Sequence, residues 1–343
     1  MATHHRALHS ASSRVTEQTR SWTHWLIPLA KLAVIALLCW FIYRAFIEGN
    51  ETLGAHTWHV EPIWLVVSGV LYLVGLLPSA IFWQRILLRT GQEVSLGEGV
   101  RAYYISQLGK YVPGKWMVIL LRRMMLRGPH LSNTVVAATV FFETFTSLAV
   151  ASAVAAVVLI IWHTNQLLLI ATALGAMCLM GVPTVPACFQ WLLGVLRVGK
   201  LNPEAASKFS HIGWRTMTVG WIMIALGWMV QGMSLWAVLR AMGAATGGVL
   251  YDLSLHTTAV ALGIVAGFVS QIPGGLVVRE WVAGELLEPV YGPSVALVAT
   301  IIFRLVLLVS ELAISIILYL AGWSRLRKTA PAVEVEYSAS GPR

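Results

Sequence analysis

The chain is poor in charge, poor in cysteine and without nucleotide-binding motifs. Only 11% of its 343 residues are Asp, Glu, Lys or Arg. That excludes an ordinary soluble domain, in which about a quarter are charged. There are three cysteines, Cys39, Cys178 and Cys188, all in apolar surroundings where a free thiol acts as a small hydrophobe. No spacing among them or among the ten histidines resembles a zinc or redox motif, so neither a metal nor a cofactor is expected. No Gly-rich loop ends in Gly-Lys-Ser or Gly-Lys-Thr, which argues against ATP hydrolysis by this chain alone. The polar N-terminus is not the short charged lead of a signal peptide. No long polar segment lies at either end, so no soluble catalytic domain is expected.

What is abundant is apolar. The chain is 57% hydrophobic with a mean hydropathy of +0.74, the composition of an all-α polytopic membrane protein. The formal charge of +9 and pI of about 9.7 do not point to nucleic acid. The Arg and Lys residues lie mainly in loops beside apolar runs, as cytoplasmic anchors do.

Full spans are expected at about Trp25 to Tyr43, Pro62 to Trp83, Asn133 to Trp162, Leu167 to Val195, Thr216 to Leu239 and Val295 to Trp323. Pro183 and Pro186 should kink the fourth. Charge sets the topology. The segment from Arg85 to Arg127 is rich in cations, as are the loop with Arg197, Lys200, Lys208 and Arg215 and the end with Arg325, Arg327 and Lys328. All are expected inside. The expected organisation is a cytoplasmic tail over 1–24, one transmembrane domain over 25–323 and a cytoplasmic tail over 324–343, in the cell (inner) membrane.

Two further segments are apolar but broken. One contains Gln107, Leu108, Gly109, Lys110, Tyr111, Val112, Pro113, Gly114 and Lys115. The other contains Ser270, Gln271, Ile272, Pro273, Gly274, Gly275 and then Arg279 and Glu280. Broken backbone inside a bilayer must be buried in protein or line a water-filled cavity. Topology requires the region from Asp252 to Tyr291 to enter and leave on one side. Arg279, Glu280, Glu285 and Glu288 would not be tolerated on a lipid-facing span, which favours a re-entrant hairpin. A pair of full spans, giving eight by hydropathy, is the alternative. With a hairpin in each half, about 25–163 and 164–323, the chain reads as an inverted-topology repeat.

Candidate site residues follow from the breaks. Lys110, Tyr111, Lys115, Arg279 and Glu280 are the substrate-binding candidates. Gly109, Pro113, Gly114, Pro273, Gly274 and Gly275 form the breaks themselves. Arg122, Arg123 and Arg127 are accounted for by positive-inside anchoring, with a headgroup vestibule as the other reading. For Arg279 and Glu280 a structural ion pair stands beside a functional one. Glu143, Arg304 and Glu311 are charges within spans, and Glu143 with Arg304 is the expected pair. A buried structural bridge is the plain alternative. His256 has no evident partner.

At these residues the chain resembles a known family. The run from Gln107 to Lys115 looks like the signature of the transmembrane, flippase-like domain of lysylphosphatidylglycerol synthases. Pro273, Gly274 and Gly275 followed by Arg279 and Glu280 look like its second signature. One departure is Val277, where the family usually has Gly, implying a stiffer break. The resemblance implies movement between leaflets of a lipid with an anionic or modified headgroup. It also implies a lipid-modifying enzyme encoded separately, since the aminoacyl-transfer domain of the two-part members is missing. Oligomerisation is left open. The alternatives are a membrane scaffold for a lipid-modifying or glycosyl-transfer enzyme, or an intramembrane lipid-phosphate enzyme. The driving force would be the lipid gradient, the membrane potential or protons, with Glu143 and Glu280 as proton candidates.

Overall fold

Helices account for every regular element among the described residues of this computed structural model, which are 60–112, 116–126, 131–162, 164–165, 167–195, 209, 212–245 and 249–329. The first expected span, the N-terminal tail, the C-terminal tail beyond Thr329, Pro113, Gly114, Lys115, Arg127, Arg197, Lys200 and Lys208 lie outside them. The helices are α1 (Pro62–Arg89), α2 (Leu96–Ser106), α3 (Trp116–Met125), α4 (Asn133–Trp162), α5 (Leu167–Gly181), α6 (Pro186–Val195), α7 (Trp214–Ala241), α8 (Val249–Val269), α9 (Val278–Tyr291) and α10 (Pro293–Thr329).

Local chemistry sets several of these boundaries. Pro62 opens α1, where its missing N–H has no intrahelical partner to lose, after an extended Glu61. Ser95 caps α2 by accepting from Glu98 N at 3.3 Å, within a Ser-x-x-Glu sequence suited to a helix start. The fourth span breaks where its prolines fall. A 3₁₀ turn over Val182–Thr184 separates α5 from α6.

Among the described residues, six helices are long and apolar enough to cross a membrane. Five of them (α1, α4, α5, α7 and α10) match expected spans. The sixth is α8, which sequence assigned to one arm of the second hairpin. That hairpin is therefore unequal, with 21 residues in α8 and 14 in α9. The charges explain the inequality. Arg279, Glu280, Glu285 and Glu288 all fall on α9, and α8 is left apolar enough to span.

The centre is the pair α1 and α7. They run antiparallel, since Glu61 N donates to Ala241 O at 2.9 Å while Phe82 meets Gly220 at the other end. Ser68 Oγ donates to Ser234 O at 2.7 Å, and Ser234 Oγ donates to Ser68 O at 2.8 Å. Further along, a methyl group on Gly75 would sit 2.9 Å from Gly227 O. Small residues let the backbones approach this closely in a membrane, where packing and interhelical hydrogen bonds drive association. Around this pair, α2 and α3 fold back on each other, with α2 leaning on α10 and α3 on α4. The arm α8 packs on α4 and α7, and α9 packs on α10.

Candidate functional site

The two breaks meet. After Ser106 the chain tightens into a 3₁₀ turn over Gln107–Tyr111. Gly109 is required there because a Cβ would lie 2.8 Å from Val118 N on the returning arm α3. The second break is a 3₁₀ turn over Pro273–Gly275. Tyr111 rests on Gly274, whose φ is +63° and whose added Cβ would stand 3.2 Å from the ring. The guanidinium of Arg304 lies 5.8 Å from the same ring. Just past the break, Val277 has φ +69° and ψ −49°. Val278 N donates back to Leu276 O at 2.8 Å. This is a γ-turn of the rare positive-φ kind, strained for a β-branched residue. It falls at the position where the resemblance led glycine to be expected.

Among the described residues, three ion pairs hold the breaks, two of them buried and the third half-buried at its lysine. Arg122 Nη1 donates to Glu143 Oε2 at 2.9 Å, and its Nε donates to Ser106 Oγ at 3.1 Å. Its guanidinium lies 4.6 Å from the Trp83 ring and 4.3 Å from the Tyr103 ring. Tyr103 Oη donates to the other Glu143 oxygen at 3.0 Å. Arg304 Nη1 donates to Glu280 Oε1 at 2.7 Å. Lys110 and Tyr72 both donate to Glu311 Oε1, and Glu311 is fully buried.

These pairs correct three expectations. Glu143 does not pair with Arg304; each has a partner on a broken segment instead. Arg122 is not a surface anchor, because it is 2% exposed and belongs to the charge network. Glu280 does not pair with its neighbour Arg279. Adjacent helix positions do not face each other, and Glu280 reaches across to α10. His256 has a partner after all, with Nε2 and Tyr291 Oη 2.9 Å apart.

Beside the joined breaks lies a half-open cavity of about 280 Å³. Lys110, Arg122, Arg279 and Glu143 line it, so four sequence-flagged charges converge there. Tyr111, Glu280, Arg304 and Glu311 do not line it; they form the packed support behind. The polar wall includes Gln107, Gln231 and Ser147, and the apolar wall includes Phe141, Leu148, Ile264, Phe268 and Ile272. Phe141 and Ile272 are exposed, so the mouth is apolar where it meets the surroundings. Arg279 makes no hydrogen bond or ion pair among the described residues. Its stem threads between Gly267 and Gly275. A Cβ on Gly275 would sit 2.8 Å from Arg279 Cδ, and one on Gly267 would be 2.9 Å from the same atom.

Sequence reasoning missed Tyr72, Gln231 and Gly267. Tyr72 and Gln231 sit mid-helix in otherwise apolar runs, and a polar side chain at membrane depth was the available signal. Gly267 had none, being one of 29 glycines.

The arrangement can hold a charged group at membrane depth while apolar chains remain outside. The chain belongs to the family described as lysylphosphatidylglycerol synthase TM region, whose model matches residues 28–315. The match is to the transmembrane region of that family and connects this multi-pass membrane protein with membrane lipids. Among curated proteins, none matches the chain.

Proposed function

We propose that this family member is a lipid transporter that carries a lipid with a polar or charged headgroup between leaflets. The observation that carries this reading is the cavity at the meeting of the two breaks, cationic and amide-lined inside and apolar at its mouth. A lipid needs both surfaces at once. Its headgroup must be solvated by protein while its chains stay in hydrocarbon.

The ion pairs support an inverted repeat, the architecture in which such sites sit at the interface of the halves. In the first half, the returning arm α3 is tied to the following span α4 by Arg122 and Glu143. In the second half, α9 is tied to α10 by Glu280 and Arg304, with the signs exchanged. The cavity opens between the second hairpin and α4. The corresponding place, between the first hairpin and α10, is filled by Lys110, Tyr72 and Glu311. One site open and its counterpart closed is the pattern expected of alternating access. In this reading the Lys110–Glu311 pair must part when the cavity closes.

The test is a leaflet-resolved assay in proteoliposomes, with fluorescent lipids of several headgroups and reduction of the outer leaflet by dithionite. Protein-dependent movement of at least one lipid, slowed at least tenfold by Phe268→Trp in the cavity wall, is the expected result. No movement above empty vesicles for any lipid would remove the transporter reading.

A further inference from the structure

We infer that Asp252 and His256 form a proton-binding site at the end of the second hairpin farthest from its break. The proton sits on the Asp252 carboxyl and is shared with His256, while Tyr291 holds the other side of the imidazole. The site lies apart from the cavity and does not depend on the transporter reading.

Two buried polar atoms without partners mark it. Asp252 is 3% exposed and His256 is fully buried. Asp252 Oδ1 and His256 Nδ1 make no hydrogen bond among the described residues. Such exceptions are rare and ask for an absent partner. The two residues are four apart on α8, so their side chains are neighbours on one face. His256 Nε2 is already engaged, 2.9 Å from Tyr291 Oη, and the two rings stack with centroids 5.8 Å apart. Tyr291 ends α9, so the group joins the two arms of the hairpin at their far ends. Asp252 is close enough to Tyr291 to act on it electrostatically.

The absent partner is a proton because the carboxylate lacks a counter-charge among the described residues. α8 packs on α4, α7 and α9. From Thr144 to Trp162, α4 has no ionisable residue. At the near end of α7 the charge is Arg240, whose guanidinium lies 5.9 Å from the centre of the Trp64 ring. α9 brings Arg279 and Glu280 at its break end, exposed Glu285 and Glu288, and Tyr291; Tyr251 is the neighbour on α8 itself. Of the segments outside the described set, 246–248 is Thr, Gly and Gly, and Arg44, His56, His59 and His163 belong to others. A cation from those would keep Asp252 charged, which the experiment below reads directly.

A buried carboxylate without a cation neutralises by taking a proton. Glu143 and Glu280, the proton candidates of the sequence, are each held by an arginine instead. With the proton in place, the carboxyl O–H donates to His256 Nδ1, directly or through one water, and Nε2–H donates to Tyr291 Oη. A metal ion fits less well, since the described residues gather no group of three His, Cys, Asp or Glu. Release of the proton to water leaves a bare charge between the arms. Water relieves that charge by entering as the ends of α8 and α9 part. Proton binding closes this end of the hairpin and proton release loosens it. In a transporter, such a site couples movement to a proton gradient.

Asp252 is the single aspartate of the sequence, so it can be observed alone. The experiment uses the full chain in maltoside micelles, made by cell-free synthesis with aspartate carrying carbon-13 at its side-chain carboxyl. Infrared spectra at neutral pH should show a labelled band of the protonated carboxyl, shifted down in heavy water, lost in Asp252→Asn and lost in the wild type as pH rises. His256→Leu should move the band up by removing its acceptor, and Glu285→Gln, at an exposed position, should leave it in place. Amide hydrogen exchange over residues 249–256 and 285–292, corrected for the intrinsic effect of pH, should quicken as the band is lost. In Asp252→Asn it should stay slow at every pH. A labelled carboxylate band alone at neutral pH would overturn the proton site, whatever meets the charge in its place. A protonated band indifferent to His256→Leu would overturn the sharing with His256. Hydrogen exchange that ignores the loss of the band, or that follows pH equally in Asp252→Asn, would overturn the closing of the hairpin end.

Discussion

Buried charges are the costliest residues in this chain, and those around the two breaks are committed to a partner or to the cavity. Arg122 and Glu143 are both about 2% exposed, and removing one leaves the other unpaired. Glu143→Leu alone should destabilise the protein by about 3–5 kcal/mol, while Arg122→Met with Glu143→Leu should recover most of the loss. Thermal unfolding in detergent would measure both. A double variant no better than the single one would mean that the pair does more than neutralise itself. That Glu143 matters was legible in the sequence, because an ionisable group at membrane depth stands out, whereas Arg122 read as a surface anchor. Their pairing was not legible. The partners are 21, 24 and 201 residues apart, and sequence offers no distance. The expected Glu143–Arg304 pair failed because opposite charge alone does not say which helices touch.

The elements were read more completely than the contacts. Spans of 18 or more apolar residues set their own length, and the limits of α4 agree with those expected from sequence. The second hairpin was harder. Its break was plain from Pro273, Gly274 and Gly275, but the length of α8 was not, because the charges that argue against a span all lie on α9. Val277 gives the break a testable property. A non-glycine residue in a sparsely populated backbone region costs roughly 1–3 kcal/mol. Glycine would remove that strain and lose some of the gain to chain entropy. Val277→Gly should therefore stabilise the protein by about 1 kcal/mol, seen as a higher unfolding midpoint in denaturant. A lower midpoint would show that packing of the valine outweighs the turn.

For the molecule as a whole, the lengths of the arms fit a bilayer. At 1.5 Å per residue, α2 and α9 extend for about 16 and 21 Å. Arms entering from opposite faces would then meet within a hydrocarbon core of about 30 Å, as the contact of Tyr111 with Gly274 requires. On the positive-inside rule the start of α2 is expected in the cytoplasm and the end of α9 outside. In a variant lacking Cys39, Cys178 and Cys188, Gly97→Cys and Glu288→Cys should react with a membrane-impermeant thiol reagent from opposite faces. Both positions are exposed, and Gly97 has open space around it. Reaction of both from one face would refute the opposed hairpins.

The central pair α1 and α7 has a consequence for motion. Where Gly75 meets Gly227 there is no room for even a methyl group, and the serines at 68 and 234 clasp each other's backbone. Such a contact can turn about itself far more easily than it can part. In the transporter reading it serves as the axle of the molecule. If the two halves rock to show the cavity to one face and then the other, they rock about this line. The travel is then greatest at the rims, where the hairpins sit, and least at the glycines.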